Sequence, residues 1–161
     1  MEMTKEGAAA YPVHIIVLCA GICLAAVGAY LFMSWWRKKR QNREMDEMEG
    51  HDFEYFCADL LRDSGFEEVE VTRGSGDYGV DILAEKDGVT YAVQCKCYHS
   101  PIGIKAVQEV YAGRDYYDRM VGAVMTNQYF TNAAVEAAGK LKILLWDRGY
   151  LESMMEECGR D

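Results

Sequence analysis

Three polar side chains on two neighbouring segments have the types and the spacing that phosphodiester hydrolysis requires. Asp81 lies in one apolar run, and Gln94 and Lys96 lie in the next, beyond the turn Lys86-Asp87-Gly88. Because alternate residues of a strand point to the same face, Gln94 and Lys96 would lie about 6.5 to 7 Å apart on one side, where Asp81 can join them across the hairpin. Carboxylate and amide oxygens suit Mg²⁺, and an ammonium group can orient and acidify the attacking water. The pattern therefore predicts a hydrolytic site, with a solvated surface hairpin as the alternative.

The strands and helices that must position these residues follow from the hydrophobic pattern after residue 50. Apolar residues recur at three- and four-residue spacing from Phe53 to Leu61, which predicts a helix. Short runs rich in β-branched and aromatic residues predict strands. In chain order, we expect helix 51–64, strands 69–73, 80–85 and 89–97, helix 104–118, strand 121–126, helix 131–139, strand 143–146 and helix 151–158. This order predicts an α/β domain with three layers and a mixed central sheet.

The first 40 residues have the pattern of a membrane anchor. Residues 15–33 form an unbroken apolar stretch of 19 residues, and a helix of that length spans roughly the 30 Å hydrocarbon core of a bilayer. Trp35 and Trp36 follow, as in an interfacial aromatic belt, and the basic run 37–40 comes directly after them. Because basic residues favour the cytoplasmic side, we expect a single-pass helix with the C-terminal domain in the cytoplasm.

Four segments follow from this pattern. We expect a short extracytoplasmic N-terminus, one transmembrane helix, a basic and then acidic juxtamembrane linker that is solvated, and a cytoplasmic domain. Their boundaries are residues 1–12, 13–36, 37–50 and 51–161. A cleaved signal peptide is the alternative to the anchor, but such a peptide carries its basic cluster before the apolar core, whereas here the cluster follows it.

Charge and cysteine content limit the class of protein. The chain has 161 residues, enough for one compact domain, and 17 Lys and Arg against 26 Asp and Glu, a net charge of −9. All of that excess lies after residue 50, where 11 basic residues face 20 acidic ones, so a broad basic surface for nucleic acid is excluded. None of the six cysteines has CxxC spacing, and the four after residue 50 are predicted to be reduced thiols in a cytosol-like compartment.

Several short motifs in a fixed order resemble the Mrr-like restriction endonuclease family, within the PD-(D/E)xK nuclease superfamily. The matching segments are Phe53-Glu54, the runs 74–83, 91–96 and 104–108, and Thr126-Asn127. The resemblance covers nearly all of residues 51–148. It implies a restriction-endonuclease-like fold and a Mg²⁺-dependent endonuclease of the type IV restriction kind that hydrolyses DNA. Asp81, Gln94 and Lys96 match the catalytic signature, with Gln94 in place of the more widespread Glu.

The resemblance also implies a role for each residue of the site. Asp81 would be the principal metal ligand, and the Gln94 side-chain oxygen and the Cys95 carbonyl would complete the protein ligands. Lys96 would hold or deprotonate the attacking water, and Glu54 would be an accessory acid, although an amphipathic helix carries such carboxylates in any case. Because Gln94 is neutral, we expect weak metal binding in the absence of DNA.

Contacts with substrate are expected from the glycine-rich loop and from the helix after Lys96. Gly76, Asp77 and Gly79 would bring the main chain close to a phosphate, with ordinary turn formation as the alternative. Gln108 resembles a family position near the site, but a polar residue on a half-exposed helix is an equally simple interpretation. Tyr78 and Cys97 depart from the family pattern, where Gly and a basic residue are common, so DNA affinity is expected to be low.

Two functions remain open from the sequence. The first is a membrane-anchored DNA endonuclease that acts in defence against foreign DNA, with DNA, the membrane and a second copy of the chain in a homodimer as partners. The second is a non-catalytic, membrane-tethered module with a nuclease fold that binds nucleic acid or serves as a scaffold. Retention of Asp81, Gln94 and Lys96 together favours the first, because a module without chemistry has no need of all three.

Overall fold

The structure is a computed structural model that describes residues 10–72 and 78–159. It divides into two compact units, Met1–Gln41 and Asn42–Asp161, which are described separately. The first unit is helical from residue 10 onward, within helix α1 (Ala10–Asp46). The segment His14–Asp46 is long and apolar enough to cross a membrane, with a mean hydropathy of 2.6 over its most apolar part. A signal sequence near an N-terminus can meet the same criterion of length and composition.

The second unit contains the remaining helices and strands. In chain order these are α2 (Gly50–Asp63), β1 (Glu67–Val71), β2 (Ile82–Lys86), β3 (Val89–Lys96), α3 (Ile104–Tyr116), β4 (Val121–Thr126), α4 (Asn132–Leu141), β5 (Ile143–Trp146) and α5 (Arg148–Glu157). The sheet order is β1-β2-β3-β4-β5, in which the pairs β1-β2 and β2-β3 are antiparallel and the pairs β3-β4 and β4-β5 are parallel. The predicted α/β fold with a mixed sheet is confirmed, and each predicted element is present within a few residues of its expected bounds.

Side-chain alternation along the strands separates two apolar layers. In β4, Ala123 and Met125 belong to the core formed with α2 and α5, which we call the first core. Val124 belongs to the second core, formed with α3 and α4. Strand β3 divides in the same way, because Val93 and Cys95 lie in the first core. Gln94 and Lys96 therefore point to the α3 side of the sheet. The three-layer arrangement is what places the polar residues of β3 under α3.

The domain begins earlier in the chain than the sequence predicts. The sequence predicts a solvated linker up to residue 50, but the compact unit begins at Asn42, and Met45 is only 1% exposed within the first core. The side chain of Asp46 forms an ion pair with Arg148, and the amide of Asn42 donates to Glu152 at 2.8 Å. Met48, three residues later, also packs against this core, but two methionines among charged residues give only a short helical pattern, so the sequence interpretation missed them.

Gly113 allows the segment before β2 to pack against α3. A Cβ atom at this position would lie 2.6 Å from the carbonyl oxygen of Tyr78 and would also overlap the Val80 side chain. Gly to Ala in a helix interior normally stabilises by about 1 kcal/mol. Here we expect Gly113→Ala to destabilise the protein by about 1 to 3 kcal/mol, because the overlap outweighs the gain in helix propensity.

Urea unfolding of the full chain in detergent measures this effect. Gly139→Ala is the matched control, since Gly139 is an exposed position of α4 where an added Cβ atom would meet nothing within 4 Å. We expect the control to be neutral or slightly stabilising. Equal unfolding midpoints for Gly113→Ala and Gly139→Ala would show that the close packing of Tyr78 and Val80 on α3 is wrong.

Candidate active site

Asp81 lies immediately before β2 and is held by main-chain hydrogen bonds on both sides. Its N–H donates to the carbonyl of Val93 at 2.8 Å, and its carbonyl accepts from the N–H of Thr72 at 2.9 Å. Its side chain is also held, because Oδ2 accepts from the N–H of Cys95 at 2.6 Å. The carboxylate is therefore fixed against β3, beside the two residues that the sequence pairs with it.

Gln94 is buried at 2% exposure and makes an asymmetric set of contacts. Its Nε2 donates to Oε2 of Glu109 at 2.9 Å. Its Oε1 is buried and has no hydrogen-bond partner among the residues that the structure describes. A buried carbonyl oxygen without a partner costs about 1 to 3 kcal/mol, so this atom is a candidate ligand for a cation.

Lys96 is the last residue of β3, and the next strand holds its main chain. Its carbonyl accepts a hydrogen bond from Oγ1 of Thr126 at 2.6 Å. Its ammonium group lies 3.4 Å from Oε2 of Glu109, the same oxygen that contacts Gln94. Gln94 and Lys96 thus share one face of the sheet and meet at one atom, as strand alternation predicts.

Asn127 fixes the chain just beyond Lys96. It is fully buried, its Oδ1 accepts from the N–H of Tyr98 at 2.9 Å, and its Nδ2 donates to the carbonyl of Tyr98 at 3.0 Å. The same Nδ2 donates to Oδ1 of Asp46 at 2.9 Å. Thr126-Asn127, which the sequence shares with the family, therefore position the end of β3 rather than add a reacting group.

Glu109 is the residue of this site that the sequence interpretation missed. It lies on α3, and its second carboxylate oxygen is 3.4 Å from Lys105. Burial alone would raise the pKa of Glu109, but the hydrogen bond from Gln94 and the charges of Lys96 and Lys105 together lower it. Gln108, the predicted contact, is exposed on the same helix. The sequence signal for Glu109 was its spacing of four residues from Lys105, which is common on exposed helices and therefore weak.

Glu54 on α2 lies on the side of β3 that carries Cys95. Its Oε2 is 3.1 Å from Nδ1 of His51. The pKa of the Cys95 thiol is raised, first by burial, then by its contact with Cys57, and then by the negative charges of Asp81 and Glu54. The structure therefore places Glu54 on the face of β3 opposite to Gln94 and Lys96, where its charge and that of Asp81 both act on the Cys95 thiol.

The glycine-rich loop is described only at its end. Gly76 and Asp77 lie outside the described residues. Gly79 has φ +77°, and a Cβ atom there would lie 2.9 Å from Cβ of Glu109 and 3.3 Å from Nε2 of Gln94. Glycine is thus required at position 79 both by the backbone conformation and by its close approach to Glu109 and Gln94.

The types of oxygen atom available on Asp81, Gln94 and Cys95 suit a divalent cation. Among residues 10–72 and 78–159, no group of three or more His, Cys, Asp or Glu side chains could hold a metal ion. A set made of the Asp81 carboxylate, the Gln94 oxygen and the Cys95 carbonyl is of a different kind, because it has one charged ligand and two neutral ones. These are hard oxygen ligands of the type that Mg²⁺ takes, and the buried Oε1 of Gln94 needs such a partner.

The site borders an open cleft of about 100 Å³ between the end of β3 and the start of α3. Its lining residues are Lys96, Tyr98, Ile102, Gly103, Lys105, Ala106 and Glu109. Two ammonium groups thus face the cleft, and Glu109 lies between them. The cleft gives Lys96 access to a ligand that approaches from solvent, at 24% exposure of its side chain.

The fold and this site define a nuclease domain of the PD-(D/E)xK type. Residues 45–155 match the family model of the Mrr catalytic domain, described as restriction endonuclease. The chain therefore belongs to this family. The family carries DNA endonuclease activity, and the predicted resemblance is confirmed.

Solved structures agree with the assignment of the fold. The chain is similar to the protein of unknown function AF1548, with 26% identity, a TM-score of 0.56 and coverage of 66% of this chain and 65% of that one. It is also similar to the DNA modification-dependent restriction endonuclease AspBHI, with 17% identity, a TM-score of 0.60 and coverage of 76% and 36%. It is similar as well to the MspJI restriction endonuclease in complex with a 27-mer oligonucleotide, with 20% identity, a TM-score of 0.51 and coverage of 73% of this chain and 30% of that one. The chain thus spans between about one third and two thirds of the length of these proteins. No curated protein sequence matches it.

Proposed function

We propose that this protein is a Mg²⁺-dependent endonuclease that hydrolyses phosphodiester bonds in DNA. The observation that carries the proposal is the unpartnered, buried Oε1 of Gln94, placed on the same face of β3 as Lys96 and beside the fixed carboxylate of Asp81. A buried amide oxygen without a hydrogen-bond partner is costly, and a bound cation would offset that cost.

Each residue has one task in this mechanism. Asp81, Gln94 and the Cys95 carbonyl hold the cation, which would polarise the scissile phosphate and acidify water when bound. Lys96 orients the attacking water and stabilises the negative charge that develops on the phosphate. Glu54, on the face of β3 that carries Cys95, would be the accessory acid. These roles use only groups that the domain already holds in place by hydrogen bonds and ion pairs.

We propose DNA as the substrate, with the cleft beside Lys96 as the place where its phosphates approach the site. Lys96 and Lys105 face the cleft, and the loop that contains Gly76, Asp77 and Gly79 ends beside Gln94. Gln108 is exposed on α3 and accessible to a ligand. AspBHI is a DNA modification-dependent enzyme and MspJI was solved with an oligonucleotide, which supports DNA, modified DNA included, as the substrate and defence against foreign DNA as the role.

We propose in addition that the protein is a single-pass membrane protein with its nuclease domain in the cytoplasm. The apolar helix and the basic run at residues 37–40 support this topology. Protease added outside intact cells should then reach only about the first dozen residues. Cleavage within residues 42–161 under these conditions would reverse the topology, and loss of the apolar segment from the mature protein would favour the signal peptide.

The test of the catalytic proposal is cleavage of DNA by the full chain in detergent. Supercoiled plasmid, unmethylated and methylated, is incubated with the protein in Mg²⁺ and in EDTA, and nicked and linear products are measured. We expect products only with Mg²⁺. Binding to DNA without any product, for the wild type and under every condition, would favour the non-catalytic module.

A further inference from the structure

We propose that Glu109 is a positioning residue that sets the orientation of the Gln94 amide and so presents its oxygen to the metal ion. The proposal rests on the proposed function, because it concerns the same site. It goes beyond the predicted catalytic residues, because Glu109 is not one of them and lies on a different element, α3. Glu109 acts through Gln94 and need not touch the metal or the substrate.

The contacts of Gln94 carry the argument. A carboxylate accepts hydrogen bonds and donates none, so Oε2 of Glu109 at 2.9 Å can face only the NH₂ group of the Gln94 amide. If the Gln94 amide were rotated by about 180°, its Oε1 would face Oε2 of Glu109 at 2.9 Å, and two buried oxygens would repel each other. The carboxylate therefore selects one of the two amide orientations, and the selected one leaves Oε1 as the unpartnered atom.

The carboxylate of Glu109 is itself held. Lys96 lies 3.4 Å from one of its oxygens and Lys105 lies 3.4 Å from the other. At position 79, a Cβ atom would lie 2.9 Å from Cβ of Glu109, so the loop end packs directly against the residue. Glu109 is consequently fixed from three sides, which is the condition for it to orient another side chain.

This arrangement also gives the neutral Gln94 a negative partner. In a site with Glu at this position, the charge would lie on the metal ligand itself. Here a carboxylate lies one hydrogen bond behind the ligand, and it also contacts the proposed catalytic ammonium group. The two substitutions that exchange these functional groups, Gln94→Glu and Glu109→Gln, therefore test whether the pair works as a unit.

Metal binding in solution tests the positioning role. Mn²⁺, which takes the same oxygen ligands, is titrated into the full chain in detergent with a DNA oligonucleotide, and free Mn²⁺ is measured by electron paramagnetic resonance. We expect Glu109→Ala to weaken Mn²⁺ binding by about 10- to 100-fold. Glu109→Gln should stay within about 3-fold of the wild type, because the oxygen of the new amide can accept the same hydrogen bond. Glu136→Ala is the matched control, since it removes an exposed carboxylate paired with Lys140 on α4.

The exchange of functional groups separates positioning from a loss of fold. Gln94→Glu alone supplies a charged ligand but places it at hydrogen-bond distance from the Glu109 carboxylate, so it should bind Mn²⁺ more weakly than a variant in which Glu109 is also changed. Adding Glu109→Gln places an amide NH₂ donor at position 109 opposite the carboxylate acceptor at position 94. The double variant should therefore bind Mn²⁺ at least as tightly as the wild type. Thermal unfolding of each variant is recorded in parallel, and rescue of metal binding by the second substitution is a result that a merely structural role would not produce.

The outcomes distinguish the two proposals. If the wild type binds Mn²⁺ and Glu109→Ala binds it equally well, the positioning role is overturned and the proposed nuclease stands. The same holds if the double variant is no better than Gln94→Glu alone. If the wild type neither binds Mn²⁺ nor cleaves plasmid, the proposed function is overturned and the inference with it.

Discussion

Lys96→Ala removes Mg²⁺-dependent cleavage while the domain stays folded: we expect the rate to fall by about 10² to 10³, equivalent to about 3 to 4 kcal/mol. The ammonium group faces the open cleft, so truncating it leaves the core intact. The charge is lost where the attacking water and the phosphate meet. Added Mg²⁺ should not restore cleavage, because the metal ligands remain in place in this variant. Plasmid nicking by the full chain measures the rate.

Asp81→Ala should be equally inactive for a different reason. It removes the one carboxylate among the three proposed ligands, so the loss is in metal binding and appears in the Mn²⁺ titration. Lys96→Ala should lose much less Mn²⁺ affinity, because it keeps all three ligands and leaves Glu109 its contact with Lys105. Lys140→Ala is the matched control for the loss of one positive charge, because Lys140 is exposed on α4 and pairs only with Glu136 in the ion pairs of the described residues. Cleavage by the Asp81 or the Lys96 variant at the wild-type rate would falsify the site.

The fragment 42–161 should fold on its own, whereas the fragment 51–161 should not. The shorter fragment lacks Met45, which is buried in the first core, and Asp46, which contacts Asn127 and Arg148. Loss of a buried methionine costs about 2 to 5 kcal/mol, and Arg148 would lose its partner at 14% exposure of its side chain. Since domains are stable by about 5 to 15 kcal/mol, the combined loss removes most of the stability.

Circular dichroism of both fragments, followed by thermal unfolding, measures this difference. Met45→Ala in the longer fragment isolates the contribution of the buried side chain. Met120→Ala is its control, because Met120 is 66% exposed and should change the unfolding temperature little. A fragment 51–161 that unfolds cooperatively at the same temperature as 42–161 would restore the domain boundary expected from the sequence.

Local patterns determined most of the fold. Helix and strand periodicity depends on neighbouring residues only, so all nine elements of the domain and the mixed sheet could be predicted. The same alternation placed Gln94 and Lys96 on one face of β3, and the structure shows both of them in contact with one oxygen of Glu109. The pairing of Asp81 with β3 followed from the short hairpin turn, since the register of a hairpin is set near its turn.

Contacts between elements that are distant along the chain were decided by the tertiary structure alone. Successive residues of a helix point about 100° apart, so the packing of α3 on the sheet determines that Glu109 faces Gln94 and that Gln108 faces solvent. No local sequence pattern predicts how α3 is rotated about its axis relative to the sheet. Met45 is a similar case, because Met45 and Met48 form too short a pattern among charged residues, and only the core formed by α2 and α5 defines their place. The chain thus encodes its helices and strands locally, whereas the proposed metal-binding orientation of Gln94 depends on how α3 packs against β3.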